Sequence, residues 1–343
     1  NWGTNAITID SNGLNYQGKD DTWTVEYTTD GQSVNIIYSG STNGWIPIED
    51  DTVTDAPSKG NQEGIFGFGD TASVTGVTNL VSSSGVVASD VSAVGTARNY
   101  LAATQYGGDK GIFGFGDSGS LTAVTNLVSN AGVVASDVTG VGTVRDELAA
   151  CGYGDDKGIF GYGATPSVVS MSNLVSNAGV VASDVTGVGS ARRMVAACEY
   201  GGDKGIFGFG YTASSEAAMT NLVSNAGVVG TDVTGVGTAR HGAAACSYGY
   251  DKGIFGFGHD GSRVSMTNLV SNAGVVATDV TGVGTVRYYL AACEYGGDKG
   301  IFGFGDVTGD TALTNLVSNV GVVATDTTGV GTARDEIAAC SFN

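Results

Sequence analysis

Residues 145–163 read RDELAACGYGDDKGIFGYG, in which an arginine precedes two short apolar runs joined by a turn rich in glycine and aspartate. The strings NLVSN (173–177) and GVVASDV (179–185) follow around another glycine. Short apolar runs between glycine-rich turns are typical of β-strands. This stretch therefore predicts a unit of four short strands.

The same unit recurs along most of the chain. Its string Gly-Ile-Phe-Gly-Phe/Tyr-Gly appears six times, at intervals of 47, 47, 47, 48 and 47 residues. A four-stranded unit with a period of about 40 to 50 residues indicates a β-propeller blade, because one small sheet cannot bury both faces without stacking against neighbours. Residues 59–343 are therefore predicted to form a six-bladed β-propeller.

The two ends of the repeat region favour a closed ring over an open solenoid or a set of independent sheets. The first repeat begins at its second strand, at Gly64, with no Leu-Ala-Ala strand before it. The last repeat continues past Arg334 into DEIAACSFN, which is the missing strand. We therefore expect the C-terminal strand to complete the first blade, and closure also leaves no sheet end exposed.

The repeat resembles the kelch repeat in the order of its parts. An arginine is followed by a small apolar strand, a Gly-Gly or Gly-Asp turn and an aromatic strand that ends in glycine. Kelch repeats usually have the glycine pair after the second strand and a tryptophan on the outer strand. Here the pair Gly107–Gly108 precedes the second strand, and the repeats contain no tryptophan. The resemblance implies that the Leu-Ala-Ala-Cys strand is innermost.

Residues 1–58 are of another kind. They contain the three tryptophans, Trp2, Trp23 and Trp45, and the strings WTVEY and SVNIIY alternate apolar with polar residues around the turn Asp30–Gly31. A segment of fewer than about 60 residues buries little core by itself. We expect a β-rich attachment or oligomerisation segment that packs on a partner chain or on the propeller, with a homo-oligomer as one outcome.

Composition argues against two classes of partner. The 34 acidic and 15 basic residues give a net charge of −19, which would repel a nucleic-acid backbone. No apolar run reaches the length of about 18 residues that a membrane-spanning helix needs, and the first residues lack the pattern of a signal peptide. We expect no nucleic acid and no membrane insertion.

The residues that commonly carry chemistry predict no enzyme, cofactor or metal. The two histidines, His241 and His259, lack metal-binding spacing. Paired acids such as Asp146 and Glu147 are able to hydrolyse glycosides, but solvated loop acids are the simpler interpretation. Five cysteines recur at one place in successive repeats, too far apart for disulfides, and are expected to be buried thiols: Cys151, Cys198, Cys246, Cys293 and Cys340.

Each repeat also carries an aspartate before its outer-strand turn and an arginine eight residues later. Their sixfold occurrence predicts a structural role, as a hydrogen bond or ion pair that holds the blades. The aspartates are Asp90, Asp137, Asp184, Asp232, Asp279 and Asp326, and the arginines are Arg98, Arg145, Arg192, Arg240, Arg287 and Arg334.

The repeats differ mainly at the two residues after the arginine and in the loop after Gly-Phe/Tyr-Gly. Both segments emerge at the same end of a four-stranded blade, so they converge on one face, which we call the variable face. Its mixture of aromatic and charged side chains suits recognition, although unconstrained loops also drift. It comprises Asn99, Tyr100, Asp146, Glu147, Arg193, Met194, His241, Tyr288, Tyr289, Asp335 and Glu336, with the loop residues Tyr211, His259, Asp260, Arg263, Asp306 and Asp310.

A second resemblance bears on function. The strings NGLNYQG, DGQSVNIIY and STNGWIPI resemble the β-structured modules of fibre and tail proteins of marine tailed phages, and the repeats of the form TNLVSNAGVVASDVTGVGTAR resemble phage virion sequence. The resemblance implies a non-enzymatic, extracellular virion protein of the tail-fibre or receptor-binding type. Its variable face would recognise a host-surface glycan or protein, and residues 1–58 would contact other virion proteins. A secreted bacterial lectin or adhesin and a purely structural capsid or tail decoration protein remain alternatives.

Overall fold

The structure, a computed structural model, describes residues 7–16, 25–27, 34–49 and 61–343. In these ranges it is all-β, and it has no helix long and apolar enough to cross a membrane. The chain divides into two compact units, Asn1–Lys59 and Gly60–Asn343. The predicted boundary between residues 58 and 59 lies outside the described residues, as do Trp2 and Trp23.

The described part of the first unit contains two antiparallel strand pairs. β1 (Ile7–Ile9) pairs with β2 (Val25–Tyr27), and β3 (Val34–Tyr38) pairs with β4 (Trp45–Glu49). The sequence pattern instead predicts pairing across the turn Asp30–Gly31, which lies outside the described residues. In β3, the side chains of Ile37 and Tyr38 are 53% and 44% exposed.

The second unit contains six three-stranded antiparallel sheets within residues 61–343. In chain order the strands are β5 (Glu63–Gly67), β6 (Thr78–Val81), β7 (Ala102–Tyr106), β8 (Lys110–Gly114), β9 (Thr125–Val128), β10 (Ala149–Tyr153), β11 (Lys157–Gly161), β12 (Ser172–Val175), β13 (Ala196–Tyr200), β14 (Lys204–Gly208), β15 (Thr220–Val223), β16 (Ala244–Tyr248), β17 (Lys252–His259), β18 (Arg263–Val270), β19 (Ala291–Tyr295), β20 (Lys299–Gly303), β21 (Thr314–Val317) and β22 (Ala338–Phe342).

We number the sheets by their strands. Sheet 1 is β22-β5-β6, sheet 2 is β7-β8-β9, sheet 3 is β10-β11-β12, sheet 4 is β13-β14-β15, sheet 5 is β16-β17-β18 and sheet 6 is β19-β20-β21. The first strands of neighbouring sheets lie beside one another, and β22 contacts both β19 and β7. The prediction of an all-β chain built from repeated small antiparallel sheets is confirmed.

The Gly-Ile-Phe-Gly pattern follows from burial on both faces of each sheet. Ile206 and Phe207 of β14 point to opposite faces, and both are fully buried. The flanking glycines make room for neighbouring sheets: a Cβ at Gly205 would lie 2.5 Å from the Cys151 sulfur of sheet 3, and one at Gly208 would lie 2.7 Å from the Phe255 ring of sheet 5. All five cysteines are free and buried, as expected.

The predicted fourth strand of each unit is reduced to single bridges. In sheet 1, Val87 bridges to Val81 and Val91 bridges to Thr78. The two bridges are three residues apart on β6 but four residues apart on the outer segment, which therefore contains one extra residue. The extra residue is a bulge that interrupts regular pairing, so the prediction of a fourth short strand in each unit is wrong.

Candidate functional site

A buried arginine links each sheet to its neighbour and supports the variable face. In sheet 4, Arg192 is fully buried; its Nε donates to the Phe209 carbonyl at 2.9 Å and its Nη2 donates to Asn221 Oδ1 at 2.6 Å. Its guanidinium lies over the Tyr162 ring of sheet 3, 4.5 Å from the centroid. One side chain thus satisfies polar groups of its own sheet and packs on the preceding one.

The aspartate beside this arginine belongs to the next repeat, not to the position eight residues earlier. Asp232 accepts hydrogen bonds from the Ser190 hydroxyl at 2.6 Å and from Asn221 Nδ2 at 3.0 Å, while Arg192 Nη1 is 3.8 Å away. Burial alone would raise the pKa of Asp232, but the bonds from Ser190 and Asn221 hold that pKa below its usual value. This aspartate therefore fixes the connection between sheets mainly through hydrogen bonds.

The other predicted structural residues are arranged in the same way, except that Arg98 Nη2, Asn126 Oδ1 and Arg287 Nε lack the corresponding hydrogen bonds in the described part of the chain. All six arginines are fully buried, and each guanidinium lies 4.0–4.5 Å from an aromatic ring centroid. Thr332 donates to Asp90 at 2.6 Å across the two ends of the repeat region. The arginine and facing aspartate are Arg98 and Asp137, Arg145 and Asp184, Arg240 and Asp279, Arg287 and Asp326, and Arg334 and Asp90.

The first residue after each arginine pairs with the residue after Gly-Phe/Tyr-Gly. These antiparallel bridges bring the two variable segments of each repeat together, as the variable-face argument requires. The pairs are Asn99 with Asp117, Asp146 with Ala164, Arg193 with Tyr211, His241 with His259, Tyr288 with Asp306, and Asp335 with Asp70.

The second residue after each arginine belongs to a ring of backbone hydrogen bonds. Each amide in the ring donates to the carbonyl of the equivalent residue one sheet earlier, at 2.8–3.1 Å, and the first amide donates to the last carbonyl. All six residues have φ between 51° and 59°, a conformation that favours glycine. They are Tyr100, Glu147, Met194, Gly242, Tyr289 and Glu336.

The side chains of this ring line a cavity of about 90 Å³. The Tyr100 and Tyr289 rings meet edge to face at 5.6 Å, and the Tyr289 hydroxyl lies 3.4 Å from the Met194 sulfur. Two carboxylates, Glu147 and Glu336, also line the cavity. Its volume suits one small chemical group, because pockets that enclose a whole drug-sized ligand are several hundred Å³.

Aromatic and charged side chains extend outward from the cavity. Tyr288 stacks on Tyr289 at 4.1 Å, and the Arg263 guanidinium lies 5.2 Å from the Tyr288 centroid while pairing with Asp306 at 2.6 Å. The predicted residues Asp260 and Asp310 lie in the same set of loops. This arrangement offers flat apolar surfaces beside hydrogen-bonding groups.

The acids of the variable face are close enough to perturb one another. Burial, followed by Glu336 and Asp310, raises the pKa of Asp335 to about 8. Burial and the neighbouring Glu147 raise the pKa of Asp146 to about 7. The face therefore gains negative charge as the pH rises through neutrality.

Three side chains with metal-ligating atoms meet at one place on the face. The His241 and His259 ring centroids are 5.1 Å apart, and ligand atoms of His241, His259 and Glu216 all lie within 4.8 Å of one another. Burial and the neighbouring His259 lower the pKa of His241, which favours its neutral form.

Sequence reasoning missed Glu216 and the acids Glu199 and Glu294. The spacing of 48 rather than 47 residues marks an extra residue in the loop 211–219, and that loop supplies Glu216. Glu199 and Glu294 line a pocket among the first strands, and burial with mutual repulsion raises the pKa of Glu199. The varying residue after each cysteine signals these two acids.

No protein-family model matches the sequence, and a search of curated proteins finds no similar one.

Proposed function

We propose that residues 59–343 form a six-bladed β-propeller closed by β22, and that its variable face is the recognition surface of a non-enzymatic tailed-phage virion protein. The ligand we favour is a host-surface glycan. A host-surface protein is the second candidate, because the rim of aromatic and charged residues also suits a protein contact.

Two observations support the closed propeller. The C-terminal strand β22 pairs with β5 in register, with Cys340 opposite Ile65. The ring of backbone bonds has no free end, since the Tyr100 amide donates to the Glu336 carbonyl at 3.0 Å. Six equivalent units around one axis account for both observations.

Retained strain at the cavity is the observation that carries the recognition proposal. At five of six equivalent positions the chain keeps a bulky side chain in a left-handed conformation, and only Gly242 relieves it. Such strain costs of order 1–3 kcal/mol per residue and is concentrated at functional sites. Buried core aromatics equivalent to Phe209 have a similar φ of 61–66°, so strain alone does not distinguish the ring; its side chains differ in lining a cavity, which fits a role in recognition.

The chemistry of the cavity favours one asymmetric glycan site. A sugar ring has an apolar C–H face that packs on an aromatic ring, and hydroxyl groups that donate to carboxylates. The cavity would take one substituent of such a sugar between Tyr100 and Tyr289, with Glu147 and Glu336 as acceptors, and Tyr288 would offer the ring surface outside it. The six positions carry four residue types rather than one, so the face favours a receptor-binding protein over a lectin with six equal sites.

The virion assignment rests on the sequence resemblance and on the first unit. The exposed Ile37 and Tyr38 of β3 give that unit apolar surface with which to contact other virion proteins or copies of itself. A secreted lectin and a structural decoration protein remain the alternatives.

Binding of the full-length chain to intact candidate host cells tests the proposal. We expect wild type to bind, Tyr289→Ala to lose binding, and Tyr250→Ala to bind normally. Tyr250 is a matched control because it is 46% exposed in the turn between β16 and β17, at the other end of its sheet. Periodate treatment of the cells should abolish binding if the receptor is a glycan and spare it if the receptor is a protein. Equal binding by all three chains would exclude the variable face as the receptor site.

A further inference from the structure

The backbone places two histidines directly opposite each other at the edge of sheet 5. The His241 amide donates to the His259 carbonyl at 3.0 Å, and the His259 amide donates to the His241 carbonyl at 2.9 Å. Side chains of such a pair project from the same face with Cβ atoms roughly 5 Å apart. The imidazoles are therefore held as a pair by the strand register.

Glu216 comes to this pair from the loop of sheet 4. Its Oε1 lies 3.7 Å from His241 Nδ1. That separation is too long for a hydrogen bond, but two ligands of a tetrahedral zinc ion, each about 2.1 Å from the metal, lie roughly 3.4 Å apart. The gap between carboxylate and imidazole therefore has the size that a shared metal ion would bridge.

The His241 nitrogen that faces this gap lacks a partner in the described structure. The His241 side chain is only 13% exposed. Its Nδ1 is buried and neither donates nor accepts a hydrogen bond within the described ranges. An unpaired buried polar atom is uncommon in a folded protein and calls for an ion, a water or another partner. The positive charge of nearby Arg193 is matched by Glu147 at 3.1 Å.

Metal binding would end one weak contact of His259. The Gly261 amide donates to His259 Nδ1 at 3.2 Å. A metal on Nδ1 displaces that amide, and a metal on Nε2 moves the imidazole proton to Nδ1, so the bond is lost in both cases. The exposed fraction of Glu216, 31%, leaves its side chain free to close the remaining distance by rotation.

We propose that His241, His259 and Glu216 bind a divalent transition-metal ion, with Zn²⁺ as the ion of choice. Two imidazoles and one carboxylate suit zinc better than magnesium or calcium, which prefer all-oxygen sites. Three protein ligands leave a coordination position for water or for a ligand hydroxyl. The site stands independently of glycan recognition, and it joins sheets 4 and 5.

Calorimetric titration of the chelator-stripped full-length chain with Zn²⁺ tests the site. We expect one ion per chain for wild type, and affinities lower by about tenfold or more for His241→Gln, His259→Gln and Glu216→Gln, since even changes to residues behind the ligands have effects of that size. Asp310→Asn is the matched control, because Asp310 occupies the position equivalent to Glu216 in the loop of sheet 6 and the change removes the same charge, so this variant should bind as wild type does.

Thermal unfolding with and without Zn²⁺ distinguishes variants that have lost a metal ligand from variants that have lost the fold. Zn²⁺ should raise the Tm of wild type and Asp310→Asn, because an ion that binds only the folded state stabilises it. At the same Zn²⁺ concentration, the rise in Tm should be smaller for folded Glu216→Gln, whose affinity is lower. Absence of saturable binding by wild type, or equal binding by the double variant His241→Gln/His259→Gln, would overturn the proposal.

Discussion

The buried arginines and the aspartates that face them, which we call the arginine–aspartate network, are adjacent in the chain to the variable face. The residue types of the network are the same in all six repeats, whereas those of the variable face differ between repeats. Arg192 and its equivalents are fully buried, and each packs its guanidinium on an aromatic ring. The next residue, Arg193, is 40% exposed, and the six equivalent positions carry five different residue types. Identical residues thus build the junctions between sheets, and differing residues mark the surface that is free to specialise.

The two regions also shift the pKa values of their carboxylates in opposite directions. Hydrogen bonds to the charged form keep the pKa of Asp90 low, although burial opposes them. On the variable face, burial and like charges raise the pKa of Asp335 to about 8. The network therefore stabilises carboxylates that are charged, whereas the face holds carboxylates that favour the protonated form.

The largest difference in the free energy of unfolding is expected between substitutions of two neighbouring arginines. Arg192→Ala removes a fully buried guanidinium and leaves the Phe209 carbonyl and Asn221 Oδ1 without a donor, so we expect a loss of about 3–5 kcal/mol in the free energy of unfolding. Arg193→Ala removes an ion pair whose arginine is 40% exposed and whose Glu147 is buried; Glu147 is able to take up a proton when its cation is lost, so the loss should be smaller, about 1–2 kcal/mol. Urea unfolding of both variants measures the difference, and equal losses would remove the distinction between network and face.

Sequence reasoning succeeded where a feature is repeated. The six Gly-Ile-Phe-Gly strands predict the small sheets, and the recurring arginines predict residues of the sheet junctions. The chain order does not reveal which aspartate faces each arginine, because that depends on packing between repeats. Arg192 consequently lies beside Asp232 rather than Asp184.

Features that occur once were harder to predict. Glu216 and His241 come from the loops of different sheets, so no local spacing joins them. The left-handed ring was also hidden, since Gly242 is its one glycine and the other positions carry residues that rarely adopt this conformation. These sites depend on where neighbouring sheets place their loops.

A smaller effect should appear in the dependence of stability on pH. Asp335 has its pKa raised from 3.8 to about 8 on folding. Its contribution is present at low pH and is lost as the pH rises through the folded value. Wild type should therefore lose stability between about pH 4 and about pH 8, and Asp335→Asn should show a flatter profile.

The aspartates of the network provide the internal comparison for that experiment. Their pKa values are lowered, so their contribution is lost only as the pH falls through those values, in the acid range. Asp335→Asn should leave acid unfolding unchanged. Chemical denaturation across the pH range measures the loss of stability in acid and the loss toward neutral pH. If the loss toward neutral pH were the same in the variant as in wild type, Asp335 would not be its cause.

The smallest change in stability is expected when a side chain is removed from the ring of backbone hydrogen bonds. Met194→Gly relieves a backbone at φ 53° but deletes a side chain that lines the cavity, so the two effects should nearly cancel, to within about 1 kcal/mol. Gly242→Ala is the reverse change: at φ 59° its new Cβ would lie 3.3 Å from the Tyr288 and Tyr289 rings, and it should destabilise by about 1 kcal/mol. If Met194→Gly instead unfolded the protein as Arg192→Ala is expected to do, the ring side chains would belong to the structural network, and the strain they carry would no longer support recognition.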